Sequence, residues 1–332
     1  MTLSSRWPSA VGLALGYLAD RIFGDPRRGH PVAGFGAAAS RLEARCYADR
    51  QAAGVMHTGA LVGAAIALGA ALERLISKRP LPTVITTAAA TWAVLGGRSL
   101  SREAATVAEQ LAGGRLPAAR VQVSHLVGRD TAELSTDEVA RATVESIAEN
   151  ASDAVVAPLL WGAVAGLPGL LGYRAVNTLD AMIGHRSPRY REFGWAAARL
   201  DDLANWAPAR LAALAAAAWA PLVGGITVNT LSVIRRDAGR HPSPNAGVVE
   251  AAFAGALDIR LGGQNAYHGR VEDRGILGTG RPVAVADINR ANRLAGAVSM
   301  SALLVAVVLR GLGLRPEPVE GRASTGSAHR RP

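Results

Sequence analysis

Four stretches of this chain, residues 51–72, 80–97, 154–173 and 211–234, contain no Asp, Glu, Lys or Arg. A helix crosses the hydrocarbon core of a bilayer with about 20 mostly apolar residues, so each stretch has the length and character of a membrane span. Residues 7–19 and 294–309 are shorter uncharged runs that would reach if flanking charged side chains extended to the headgroups. Buried core helices of a soluble protein are the competing reading, and four such stretches in one chain weigh against it. The first run follows Arg6 like a signal sequence, but no small-x-small cleavage site precedes Asp20, so it is expected to be retained.

Composition sharpens this. Hydrophobic residues make up 49% of the chain and aromatics only 5%, so the apolar mass is Ala, Leu, Val and Gly, as in close-packed membrane helices. That much apolar surface excludes disorder for the bulk of the chain. The expected fold is all-α: a polytopic integral membrane protein with broken or re-entrant helices and a polar site on the cytoplasmic side. Residues 1–314 are expected to form a single membrane-embedded domain, and the Pro/Ser/Gly/Arg-rich residues 315–332 a disordered tail. The lone cysteine, Cys46, excludes an intrachain disulfide framework and a multi-cysteine zinc site. Lys78 is the sole lysine and follows no glycine-rich loop, which argues against lysine-dependent chemistry. The net charge of +10 is spread as arginines between apolar runs, with no basic stripe and no interleaved aromatics. A nucleic-acid partner is therefore not expected, whereas anionic headgroups or an anionic substrate are. Connections 20–50, 98–153 and 235–293 hold the larger share of the arginines, which places them in the cytoplasm of a multi-pass cell (inner) membrane protein.

Between the apolar runs, Ser135 and Glu138 read as a capping box starting a helix through Glu145, Glu149 and Asp153. Those carboxylates recur at i, i+4 and i+8 and so share one face. Pro158 and Pro168 then predict a broken helix. Residues 173–210 look amphipathic and suited to the membrane surface, and 235–293 is rich in turn residues.

Four groups of residues could carry chemistry. Gly24-Asp25-Pro26 with His30-Pro31 is either a tight turn or an Asp/His pair near the membrane surface. Glu145-x-x-x-Glu149-Asn150-x-x-Asp153 is either a solvated face with an Arg141–Glu145 ion pair or a set of oxygen ligands suited to Mg²⁺ bridging phosphate. Asn177-Thr178-Leu179-Asp180, then Arg199, Asp201, Asp202 and Asn205, is either a surface helix with an internal Arg–Asp pair or a phosphate- and cation-binding group. His241-Pro242-Ser243-Pro244-Asn245-Ala246-Gly247, with Leu261-Gly262-Gly263 and Tyr267-His268-Gly269, is either a connector or a loop set approaching phosphate.

In this order and spacing the segments resemble the CobD/CbiB family, the membrane-bound adenosylcobinamide-phosphate synthases. The resemblance is carried by Gly24-Asp25-Pro26 and His30-Pro31, and by Thr143-Val144-Glu145-Ser146-Ile147-Ala148-Glu149-Asn150 with Asp153 and Pro158. It continues through Asn177-Thr178-Leu179-Asp180-Ala181-Met182, Ala198-Arg199-Leu200-Asp201-Asp202 with Asn205, and Pro208-Ala209-Arg210. The last block is His241-x-Ser243-x-Asn245-Ala246-Gly247 with Glu250 and Leu261-Gly262-Gly263. Alanine at 181 and the surroundings of His185 depart from the family pattern.

The resemblance implies an ATP- and Mg²⁺-dependent ligase that joins adenosylcobyric acid to aminopropanol or its phosphate through an amide. A carboxylate does not acylate an amine unaided, and activation through ATP, as an acyl phosphate, requires cations at the phosphoryl group. The implied metal ligands are Glu145, Glu149, Asp153, Asp180 and Asp202. The implied nucleotide- or phosphate-binding residues are Arg199, Asn150, Asn177, Asn205, Ser243, Asn245, Gly262 and Gly263. His30 or His241 would accept the amine proton, and Glu149 and Asp201 complete the catalytic set, with Asp201 and Asp202 also suited to a second cation or the donor's ammonium. Expected partners are the corrinoid, the amine donor and the bilayer, with self-association or contact with other membrane enzymes of the pathway open. The runner-up readings are a Mg²⁺-dependent prenyl or phospho-alcohol transferase, whose paired DxxxD motifs this chain lacks, and a non-catalytic membrane transporter or partner.

One conflict follows from the spans themselves. If every apolar run crossed, residues 174–210 would face away from 98–153 and 235–293. A single site then requires the stretch after Asp153 to break or re-enter.

Overall fold

The computed structural model describes residues 6–25, 29–185, 187–267 and 270–313. Pro26, His268, Gly269 and the expected tail 315–332 lie outside the described residues. Helices α1 (Trp7–Phe23), α2 (Pro31–Cys46), α3 (Gln51–Ile76) and α4 (Pro80–Val94) come first. Proline stands in the first turn of α1, α2 and α4, where its fixed φ suits the helix and its missing N–H costs nothing. Next come α5 (Gly97–Ala112), α6 (Leu116–Val123) and α7 (Thr136–Ala151). The expected capping box at the start of α7 is present: Ser135 Oγ accepts from Glu138 N, and Glu138 accepts from Ser135 N at 2.8 Å.

Beyond α7 the chain stays helical through a wide π turn, Ser152–Val156, into α8 (Ala157–Leu179), and ends in a second π turn, Asp180–Gly184. The break expected in this stretch is real. Gly166 lies at φ 69°, ψ −148°, two residues before Pro168, and divides α8 into two helical halves. Glycine is required there both for its left-handed φ and for space, because a Cβ would stand 2.7 Å from Glu73 Oε1. Arg310 pairs with Glu73 at 2.8 Å beside this break.

The remaining elements are α9 (Trp195–Ala204), α10 (Trp206–Ala218), α11 (Thr227–Asp237), α12 (Ala246–Leu257) and α13 (Val285–Leu312), with strands β1 (Leu261–Tyr267) and β2 (Arg270–Leu277) between the last two. The antiparallel β1–β2 hairpin is a correction to the all-α expectation, since the glycine-rich part of 235–293 forms strands rather than turns. Paired strands satisfy backbone groups that a bare loop would leave to water.

Among the described residues, three helical segments are long and apolar enough to cross a membrane: Gln51–Ile76, Thr136–Gly184 and Val285–Leu312. The run 211–234 is not one span. It divides into the end of α10, a 3₁₀ turn at Ala220–Val223 and the start of α11, because Pro221 cannot continue the helix and Gly224 takes φ +83°. The run 80–97 yields a 15-residue helix that ends before Gly97 opens α5. Core packing depends on small residues: the main cluster is dominated by Ala and Val from α5, α7, α10, α12 and α13, which allow close helix approach. A further set of large apolar side chains points outward, among them Leu15 and Ile22 of α1, Leu68 and Leu75 of α3, and Leu304 and Val308 of α13. Exposed apolar faces of this extent are the kind a bilayer or partner covers.

Candidate active site

Three acids come from the two π turns and their flanks, with Glu149 in the last turn of α7, Asp153 in the first wide turn and Asp180 opening the second, and a fourth, Asp201, comes from α9. Single π turns recur at functional sites because the extra residue re-aims side chains out of the regular helical register. Asp153 lies within electrostatic reach of Glu149, Asp180 and Asp201, and Asp180 within reach of Asp202 and Glu149. All five acids are half-buried. Like charges held together at partial burial repel and need a counter-cation or protons.

Hydrogen bonds fix the framework. The Tyr173 hydroxyl, on α8, donates to Asn205 Oδ1 at 2.8 Å and reaches the Asp153 carbonyl at 3.0 Å. Asn205 Nδ2 donates to Asp201 Oδ2 at 2.9 Å, and Asn177 also hydrogen-bonds the Asp201 carboxylate. Arg174 Nη1 donates to Asn177 Oδ1 at 3.3 Å and lies within electrostatic reach of Asp25 and Asp153. Burial first, then the charge of Asp180, pushes the Asp201 carboxyl up to about 7.

The distant loop joins this group. Asn245 Nδ2 donates to the Asp202 carbonyl at 2.7 Å, and Asn245 Oδ1 accepts from Arg210 Nη1 at 2.7 Å. Ser243 Oγ accepts from the backbone N–H groups of Asn245 and Ala246 at 3.3 and 3.2 Å, capping the start of α12. The segments 136–184, 195–205 and 241–246 therefore meet at one place, which removes the conflict posed by counting every apolar run as a crossing.

Other expected site residues stand elsewhere. Glu145 is nearly inaccessible, paired with Arg129 and accepting from Gly262 N at 2.8 Å. With its carboxylate already engaged, it supports the β1 bulge and is not free as the metal ligand expected from the shared i, i+4 face. Gly262 and Gly263 sit at φ +79° and +86°, with the Gly262 carbonyl held by Arg141. They line a cleft of about 250 Å³ with Asp137, Glu138, Arg141 and Arg260, separate from the Asp201 hydrogen-bond network. His30 caps α2, its Nδ1 accepting from Val32 N at 3.1 Å, which engages it in the helix start. His241 is fully buried against Glu250, with its imidazole pushed down to about 4 by burial and then by the charge of Arg274. Arg199 is exposed and pairs with Asp202 at 3.4 Å, as the internal-pair reading expected. Asn150 is turned back onto Ser146 O at 2.9 Å. Among the described residues no group of three or more His, Cys, Asp or Glu side chains is placed to hold a metal ion.

Comparison with known proteins settles the kinship. The family model described as CobD/Cbib protein matches residues 13–295. The chain belongs to the CobD/Cbib family. It is 54% identical over 307 residues to the cobalamin biosynthesis protein CobD of Mycobacterium tuberculosis, covering 92% of this chain and 97% of that protein. It is 45% identical to the CobD of Rhodobacter capsulatus, covering 84% and 88%, and 44% identical to that of Chromobacterium violaceum, covering 86% and 92%. No solved structure matches.

Tyr173, Arg174 and Arg210 stand among these side chains, and sequence reasoning assigned them no role. Tyr173 precedes Asn177 by four residues and was hidden at the end of an apolar run, yet the i, i+4 spacing placed it on the face of a chosen residue.

Proposed function

We propose that this chain is a multi-pass membrane enzyme of cobalamin biosynthesis. It joins the carboxyl of adenosylcobyric acid to the amine of aminopropanol or its phosphate, at the expense of ATP, to give adenosylcobinamide or its phosphate. The kinship with proteins named for cobalamin biosynthesis supports the pathway. The observation that carries the chemistry is the meeting of Glu149, Asp153, Asp180, Asp201 and Asp202 around a shared Tyr173–Asn205–Asp201 frame. On this reading the site faces the cytoplasm, the side on which the arginine-rich connections are expected.

The donor set fits Mg²⁺ held jointly by protein and phosphate better than Mg²⁺ held by protein alone. Mg²⁺ takes one or two protein carboxylates and shares the rest of its shell with phosphate oxygens, so half-buried acids can serve it without three of them converging. One or two of Glu149, Asp153, Asp180 and Asp202 would hold it, and when bound it would offset negative charge at the phosphoryl groups. Arg174, Arg199 and Arg210, at the border of the group, supply cationic donors for anionic substrate groups.

The proton must leave the ammonium before the amine attacks. With its value near 7, Asp201 is matched to that task at neutral pH, whereas buried His241 and the helix cap His30 are not. Asp201 attracts the ammonium as a carboxylate and accepts the proton, with Asn205 and Asn177 fixing its orientation. The reading is tested by incubating membranes holding the protein with adenosylcobyric acid, ATP, Mg²⁺ and either amine donor, then weighing the corrinoid. An amide product that depends on ATP supports it, and unchanged corrinoid in every mixture overturns it.

A further inference from the structure

Beneath the acidic group lies a second, sealed set of ionisable side chains. His241 Nε2 stands 3.7 Å from Glu250 Oε1, and both side chains are wholly buried. Neither Nε2 nor either Glu250 oxygen has a partner within hydrogen-bonding distance. His241 Nδ1 accepts from Ser243 N at 3.0 Å, which leaves the imidazole proton on Nε2, aimed at Glu250. Gly247 of α12 lets the helix backbone lie directly against His241, since a Cβ there would stand 2.5 Å from His241 Cβ.

From this pair a continuous line of contacts leads to the site. His241 holds Ser243 N, Ser243 Oγ holds Asn245 N, and Asn245 holds the Asp202 carbonyl. We propose that Glu250 is a positioning residue of the acidic site, acting through His241, Ser243 and Asn245 to fix where the end of α9 stands. The inference rests on the ligation reading of that site. Glu250 works as a neutral acid: burial, then the charges of Glu145 and Glu149 on α7, keeps its carboxyl well above the ordinary range, against Arg274 from β2 and Arg129 from the segment before α7. An uncharged pair is what a sealed site tolerates, since isolated buried charge is far more costly.

The test compares Glu250→Ala with Glu250→Gln, whose amide keeps the size of the side chain and a neutral oxygen facing the imidazole. Ligation kinetics are expected to show kcat reduced about tenfold or more in Glu250→Ala and restored to within about threefold of wild type in Glu250→Gln, with equal amounts in the membrane. A second readout needs no activity: nitrogen-15 histidine spectra of the wild-type protein, with the His241 signal assigned by its loss in His241→Asn. His241 is expected to remain the neutral Nε2–H tautomer from about pH 5 to about pH 8. Titration of His241 near 6.5, protonation at Nδ1, or a Glu250→Gln variant no better than Glu250→Ala would each overturn the proposal. Absence of ligation by the wild type would sink the ligation reading, while the spectra still decide the pair.

Discussion

The Asn245 side chain donates to the Asp202 carbonyl at 2.7 Å, across 43 positions of sequence. Its oxygen accepts from Arg210 at the same distance, so one amide ties the loop before α12 to both α9 and α10. Replacing Asn245 with Ala removes its bonds to the Asp202 carbonyl and to Arg210, which keeps its bond to the Trp206 carbonyl, at a cost of about 1–3 kcal/mol. The expected result is a lower unfolding temperature in detergent together with a steep loss of ligation. Unchanged stability would mean that the clamp is not formed in the folded protein.

Tyr173→Phe isolates the hydroxyl that joins Asp153 to Asn205. Its ring stays buried, so packing is retained while Asn205 Oδ1 loses its donor. A destabilisation of about 1–3 kcal/mol is expected, with turnover reduced because Asp201 loses its braced neighbour. Thermal unfolding and ligation rates measured on the same preparation check both parts.

Asp201 gives a pH dependence whose sign is fixed. Its value rises from 3.8 to about 7 on folding, so the folded protein holds this proton more tightly than the unfolded chain. That contribution is full below pH 3.8 and is lost as pH rises to about 7. Without ligands, stability should therefore decline across that window, and Asp201→Asn should flatten the decline. The wild-type kcat/KM for the amine should rise through about pH 7, as a base that must be ionised requires. A rate that falls over the same range would assign the proton transfer elsewhere.

Gly262→Ala probes the second region. A Cβ there would stand 2.0 Å from the Gly275 carbonyl, at a φ of +79° that alanine resists. The hairpin must shift and release Glu145, so a cost above about 1 kcal/mol is expected. Urea or thermal unfolding of the variant measures it.

Much of this arrangement was legible in local pattern, and what was missed depends on distant contacts. The capping box at Ser135 and Glu138 and the uncharged cores of α3 and α13 are local signals, and they appear as read. The broken helix after Asp153 was announced by Pro168, although the left-handed turn falls at Gly166. Residues 211–234 were misread because absence of charge does not outweigh Pro221 and Gly224 inside the run. Glu145 was grouped with Glu149 and Asp153 by spacing alone, but its partners Arg129 and Gly262 come from other parts of the fold. The hairpin was hidden because its glycines read as connectors, and their positive φ values become meaningful only once β1 and β2 pair.

The central claim is that segments far apart in the chain supply one ATP-driven amide-forming site. The most direct measurement is ligation by wild type, Glu149→Gln, Asp201→Asn and Asn245→Ala at equal membrane levels, with and without ATP, read by mass spectrometry of the corrinoid. The account predicts an ATP-dependent amide product from wild type and a loss of about 100-fold or more in the two acid variants, with Asn245→Ala also strongly reduced. Product formed without ATP, or wild-type turnover in any of the three variants, would contradict it.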